Sequence, residues 1–167
     1  MSCWLLQAVS LWLKLLGLSM FTRKLLYLLV FILLQGCSSH MPNLGVSNGK
    51  LAACPSSPNC VSSQAAADDK HYIEPIVLKA SIASSHDKVM SVLESSKRTK
   101  VVVNEENYIH AEFTSALFRF VDDVEFLFAK ERDGEVMVDI RSASRVGHSD
   151  FGVNRKRMED IRDKLTK

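Results

Sequence analysis

The chain has 167 residues, enough for one domain of ordinary size, with 47% hydrophobic and 24% charged residues. Its net charge of +2 belongs to the first 36 residues, which hold Lys14, Arg23 and Lys24 and no acid; from Cys37 onward 18 Lys plus Arg face 19 Asp plus Glu, a net of −1. A near-neutral domain lacks the clustered positive charge that phosphate contacts require, so nucleic acid is excluded as a partner.

Residues 1–36 read as a signal peptide. Phe21-Thr22-Arg23-Lys24 is a charged start and Leu25 to Leu34 an apolar run, and Met20 offers a start that alone yields a well-proportioned signal. That run is too short to span a bilayer, which takes about 20 apolar residues, and Lys14 interrupts the earlier run Leu11 to Leu18, so a transmembrane hairpin, or one membrane anchor kept uncleaved, is the weaker alternative. The run ends at Leu34-Gln35-Gly36-Cys37, which resembles the lipobox of bacterial lipoproteins. This implies cleavage before Cys37, lipid on its thiol and stable attachment to a membrane, because two or more acyl chains hold where one is marginal. With Ser38 and Ser39 following, the expected location in a Gram-negative cell is the periplasmic face of the outer membrane.

Cys3 falls in the leader and Cys37 takes the lipid, which leaves Cys54 and Cys60. In an exported chain this pair is expected to form one short disulfide around Pro55-Ser56-Ser57-Pro58-Asn59. The spacing is neither that of a redox Cys-x-x-Cys pair nor that of a zinc site.

Residues 37–50, rich in Ser, Asn, Gly and Pro, read as a flexible tether, and residues 51–167 as a single domain. Residues 51–70 read as loop, and Pro75 with Ile73, Ile76 and Val77 as an extended edge segment. Ser84 to Lys97 predicts a helix with Val89, Met90, Val92 and Leu93 on one face. Lys100–Val103, Tyr108–Thr114, Phe118–Phe128 and Val136–Ser144 predict strands, and Asn154 to Leu165 a second helix, capped by Asn154, with Met158, Ile161 and Leu165 as its apolar stripe. The expected fold class is therefore α+β: an antiparallel sheet of about four strands with one helix before and one after it.

Arg132-Asp133-Gly134 predicts a three-residue hairpin loop between the two long strands. In that register Phe128 faces Val138, Phe126 faces Ile140, Val124 faces Ser142 and Asp122 faces Ser144 on one side, while Glu125 faces Arg141 on the other with Asp123 between Arg141 and Arg145. A two-residue Asp-Gly turn would set Phe126 against Arg141 and mix the faces, so the pattern disfavours it.

The densest polar cluster combines Asp122, Asp123 and Glu125 with Arg141, Ser142, Ser144 and Arg145, and Asp150, Asn154 and Arg155 lie close by in sequence. Asp122 continues the face of Phe118, Phe120, Val124 and Phe126, so its carboxylate points to the core side and needs a partner there. It either serves a site or holds the loop 145–153, and Arg155 or Arg157 could fold back onto Asp122 or Asp150. His71, His86, His110 and His148 are scattered without metal-ligand spacing and read as solvated; no metal and no cofactor is expected. No serine sits in a Gly-x-Ser-x-Gly elbow, and Gly147 and Gly152 are isolated turn glycines rather than a phosphate loop.

Cys54 to Ser63, Phe118 to Glu125 and Arg141 to Arg155 together resemble the hallmark segments of domain of unknown function 1499, a family of small bacterial and plastid domains. The resemblance covers residues 51–167, with His148 departing from an aromatic position, and it implies that the Asp-Asp-x-Glu and Arg-Ser-x-Ser-Arg strands belong together. It transfers no catalytic role. The expected function is a non-enzymatic envelope domain binding an envelope protein or small ligand through the region of Asp122, Asp123, Arg141, Arg145 and Asn154. The alternative is an envelope enzyme, hydrolase-like, with Asp122 or Asp123 as acid or base and Arg145 holding an anion.

Overall fold

The structure is a computed structural model and describes residues 44–67 and 69–167. The expected signal peptide, Cys37 and the first part of the expected tether lie outside the described residues. Their successors form β1 (Val46–Ser47), β2 (Lys50–Leu51), β3 (Cys60–Ser62), β4 (Ile76–Leu78), α1 (Ile82–Glu94), β5 (Thr99–Glu105), β6 (Tyr108–Thr114), β7 (Val121–Arg132), β8 (Glu135–Ser144) and α2 (Val153–Thr166).

The architecture is α+β with antiparallel pairing, but the main sheet has six strands, ordered β3-β8-β7-β6-β5 with β4 also on β8. The sequence pattern yields only about four because β3 and β4 have three residues each, too short to show alternation. Both lie along the outer edge of β8, Cys60 opposite Ala143 and Ile76 opposite Val138. β1 and β2 pair as a separate ribbon, where the tether was expected.

Both helices pack on one face of the sheet. Val89 and Leu93 of α1 and Met158, Ile161 and Leu165 of α2 meet Ile109, Ala111, Val124, Phe126, Val138 and Ile140, all buried. Helix α1 begins two residues before the expected Ser84 because Ser81 is the cap: its Oγ accepts the Ser84 amide at 3.3 Å. It stops at Glu94, where the hydroxyls of Ser95 and Ser96 both donate to the carbonyl of Val92.

Strand β7 starts at Val121, so Phe118 and Phe120 are not core residues of a strand; they stand exposed on the loop before it. From Asp122↔Ser144 to Phe128↔Val138 the β7–β8 register is the expected one, including Glu125↔Arg141. Its cause differs from the three-residue loop. Asp133 and Gly134 form a two-residue turn, both at positive φ (55° and 77°), and Arg132 pairs with Glu135. A bulge between Phe128 and Glu131 absorbs the residue that this turn leaves over, and so returns the phenylalanines to the core face.

Candidate functional site

The sheet separates the expected cluster into two networks on opposite faces, because successive strand residues point to opposite sides. On the helix face, Asp122 pairs with Arg157, whose guanidinium lies 5.0 Å over the Phe113 ring. Asn154, fully buried in the first turn of α2, completes this side. Its Oδ1 accepts from Ser142 Oγ at 2.5 Å and Arg157 Nη1 at 2.6 Å, and its Nδ2 donates to the Asn59 carbonyl at 3.0 Å and Ser144 Oγ at 2.9 Å. All its hydrogen-bonding capacity is used, which marks it as a lock joining the disulfide loop, β8 and α2. Asn154 is not the helix cap: Gly152 holds that position at φ 80°, and the Asp150 carboxylate accepts the amides of Gly152 and Asn154. Arg155 turns away and donates to the Lys70 carbonyl at 2.9 Å.

The other face carries buried charge. Glu125 is completely buried; Oε1 accepts the Tyr108 hydroxyl at 2.7 Å and the Gly45 amide at 2.9 Å, and Oε2 accepts Arg141 Nη1 at 2.8 Å. Burial and the Glu125 carboxylate push the Tyr108 phenol far above its ordinary pKa. One row along, Glu112 and Asp123 stand directly opposite, an arrangement of like charges that is unfavourable alone. Arg145 bridges them: it donates from Nε and Nη2 to Asp123 at 2.9 and 2.8 Å, and from Nη2 to Glu112. His110 Nε2 adds a hydrogen bond to Asp123 Oδ1 at 2.7 Å. Burial works to raise the Asp123 pKa, but the hydrogen bonds and charge from Arg145 and His110 outweigh it and hold the carboxyl below its ordinary value; the same contact pushes Arg145 up.

His110 and His71 are therefore not solvated. Both are buried, and His71 Nδ1 lies 2.8 Å from the Cys60 carbonyl. Sequence reasoning missed His110 because it was never paired with β7. Yet Tyr108, His110 and Glu112 alternate against Ile109, Ala111 and Phe113, and a β6–β7 register that keeps the apolar faces together sets them beside Glu125 and Asp123.

Between this charged face and the segment 52–57 lies a cleft of about 550 Å³. Its floor is the β8 stripe Arg141, Ala143 and Arg145 with Asp123 beside it; its wall is Ala52, Ala53, Cys54 and Pro55. Cys54 is joined to Cys60 by the expected disulfide, with Cα atoms 5.7 Å apart, so the wall is tied covalently to β3. The small Ala143 between two arginines leaves the room. Arg141 is 5% exposed and commits Nη1 to Glu125, while its buried Nε has no partner among the described residues. A second hollow of about 500 Å³ between α2 and the segment 95–97 after α1 is edged by Lys97, Lys156 and Lys164 and, among the described residues, contains no such buried, unpartnered group.

Chemically, the cleft offers one guanidinium whose buried Nε is unpartnered and one, Arg145, whose Nε and Nη2 are already engaged by Asp123 and Glu112. Among the described residues, no three His, Cys, Asp or Glu side chains converge to hold a metal ion. Ser144 Oγ is engaged by Asn154 on the helix face, away from the His110–Asp123 pair. The profile of the family described as "protein of unknown function (DUF1499)" matches residues 50–165. No curated protein matches the chain.

Proposed function

Because the chain belongs to the DUF1499 family, described only as of unknown function, its role must be argued from its own residues, and we propose a lipid-anchored domain of the cell envelope that binds a small ligand in the Arg141 cleft. The observation carrying this is the buried Arg141 guanidinium with an unpartnered Nε beside an open cleft. An unsatisfied buried donor is costly, and a ligand oxygen acceptor such as a carboxylate or carbonyl would relieve it. Asp122 and Asn154, on the far face of the sheet, then serve the scaffold and not the ligand.

The test is ligand-induced thermal stabilisation of the full chain by a panel of small carboxylates and N-acyl amino acids, beside Ala143→Leu. That substitution fills the cleft floor and leaves both arginines in place. A stabilising ligand whose effect disappears in Ala143→Leu supports the proposal; an effect that persists in the filled cleft sinks it. The anchor is tested separately by intact mass and membrane fractionation of the native protein beside Cys37→Ser. Acyl chains and cleavage before Cys37, both lost in the variant, support it, and an intact unacylated leader overturns it.

A second reading, an envelope hydrolase, draws on the buried His110–Asp123 pair, which has the geometry of an imidazole oriented by a carboxylate. His110 is not part of the cleft wall, and no hydroxyl or thiol stands within its reach as nucleophile among the contacts described. Hydrolysis of activated esters by the native protein, abolished in His110→Gln, would favour this reading over ligand binding.

A further inference from the structure

One end of the sheet gathers the starts of β7 and α2 and the ends of β6 and β8. Thr114 pairs with Val121, and the Arg145 amide donates to the Val121 carbonyl at 3.1 Å. From this end project Leu117, Phe118 and Phe120 on the β6–β7 loop and Phe151 on the loop before α2, at 79%, 69%, 51% and 96% exposure. Phe118 and Phe120 stack with centroids 5.5 Å apart. Arg119 between them and Phe151 itself have φ of 58° and 54°. A left-handed backbone disfavours bulky residues, and water disfavours an exposed ring. Both penalties at one end of a domain mark a surface held ready for an apolar partner.

We infer that this end docks on the lipid bilayer, the phenylalanine rings entering the boundary between headgroups and acyl chains. The inference rests on the Cys37 anchor for its reach. Residues 37–44 extend to about 28 Å at most, and Gly45 is held on Glu125. Glu125 stands four strand positions, about 13 Å, from Val121. The tether therefore confines the domain to the membrane surface, with the aromatic end inside its radius. Charge selects the bilayer over a second copy of the chain. Arg98 and Arg119 are exposed at this end. A symmetric dimer through this end would oppose these charges to one another, whereas anionic headgroups attract them.

The experiment uses the full chain with Trp4→Phe and Trp12→Phe, so that a single introduced tryptophan reports. Phe118→Trp and Phe151→Trp probe the docking end; Val77→Trp, exposed on β4 toward the other end of the β8 strand, is the control. Each protein is purified from membranes and reconstituted in phosphatidylethanolamine–phosphatidylglycerol vesicles with brominated acyl chains. The expected result is blue-shifted, quenched emission at positions 118 and 151 and solvent-like, unquenched emission at position 77. Solvent-like emission at all three positions overturns the docking. So does shielding of positions 118 and 151 without vesicles in a sample that sediments as a dimer. Intact mass of the same samples reports acylation independently: an unacylated protein with quenched Trp probes keeps the docking face and loses the anchor.

Discussion

The amide of Gly45 donates to Oε1 of Glu125 at 2.9 Å across 80 positions of sequence. A carboxylate at the centre of the sheet thus holds the first described residues of the chain, and Arg141 and Tyr108 donate the rest of its hydrogen bonds. Glu125→Gln keeps the shape and leaves Arg141 as a buried, uncompensated cation. We expect a loss of about 3–5 kcal/mol in urea unfolding, with most of it recovered in the Glu125→Leu, Arg141→Met double variant. Equal losses in the single and double variants would show that packing, not charge, governs the position.

Acid should weaken the fold through Asp123. Its folded pKa is depressed, so its contribution is complete above the unfolded carboxyl value of about 3.9 and is lost as pH falls from there toward the folded pKa. Tyr108 acts at the other limit: its raised pKa gives a contribution complete below about pH 10 and lost as pH rises above it. Urea midpoints measured against pH should fall at both ends. Asp123→Asn should flatten only the acid limb and Tyr108→Phe only the alkaline one.

Asp122→Asn and Asn154→Ala should both destabilise, the second by about 2 kcal/mol or more, because the Asn59 carbonyl and the Arg157 guanidinium lose partners in a buried setting. Asp122→Asn should not change the affinity of a ligand held at Arg141, since Asp122 lies across the sheet from the cleft, whereas Asn154→Ala loosens Asn59 and Ser144 of the cleft lining and should weaken it. Titration of each purified variant with a stabilising ligand checks this; weakened binding in a folded Asp122→Asn protein would return Asp122 to the site.

Reducing the Cys54–Cys60 bond, which closes a loop across a sequence separation of six, should cost about 2 kcal/mol by loop entropy. The same reduction frees the Cys54–Pro55 wall of the cleft, so ligand affinity should fall with it. Paired thermal melts and ligand titrations with and without reductant measure the two effects; unchanged affinity would place the ligand elsewhere.

The parts of the fold that were legible in the sequence are those whose period is long enough to read. Met158, Ile161 and Leu165 define α2, and the phenylalanines 126 and 128 set against Ile140 and Val138 fix the β7–β8 register. Cys60–Ser62 and Ile76–Leu78 were hidden by brevity, and their pairing with β8 is visible only in three dimensions. Phe118 and Phe120 extend the alternation of β7 and so mimic core residues, although they belong to a loop. The charged cluster was legible as a set of residues. Its division into two faces was read only for β7 and β8, because the link from β6 to β7 through residues 115–120 lacks a turn signature that would fix which neighbours His110 meets.

The bulge between Phe128 and Glu131 and the tight turn at Asp133-Gly134 are two irregularities that cancel in phase. Deleting Ala129 would straighten β7 and still leave Phe128 opposite Val138, and everything beyond it, including Glu125 against Arg141, in step. Deleting a turn residue would give no such protection. The hairpin tip therefore behaves as slack in a timing belt: chain length can drift between Phe128 and Glu131 while the two strands that build the cleft keep their alignment.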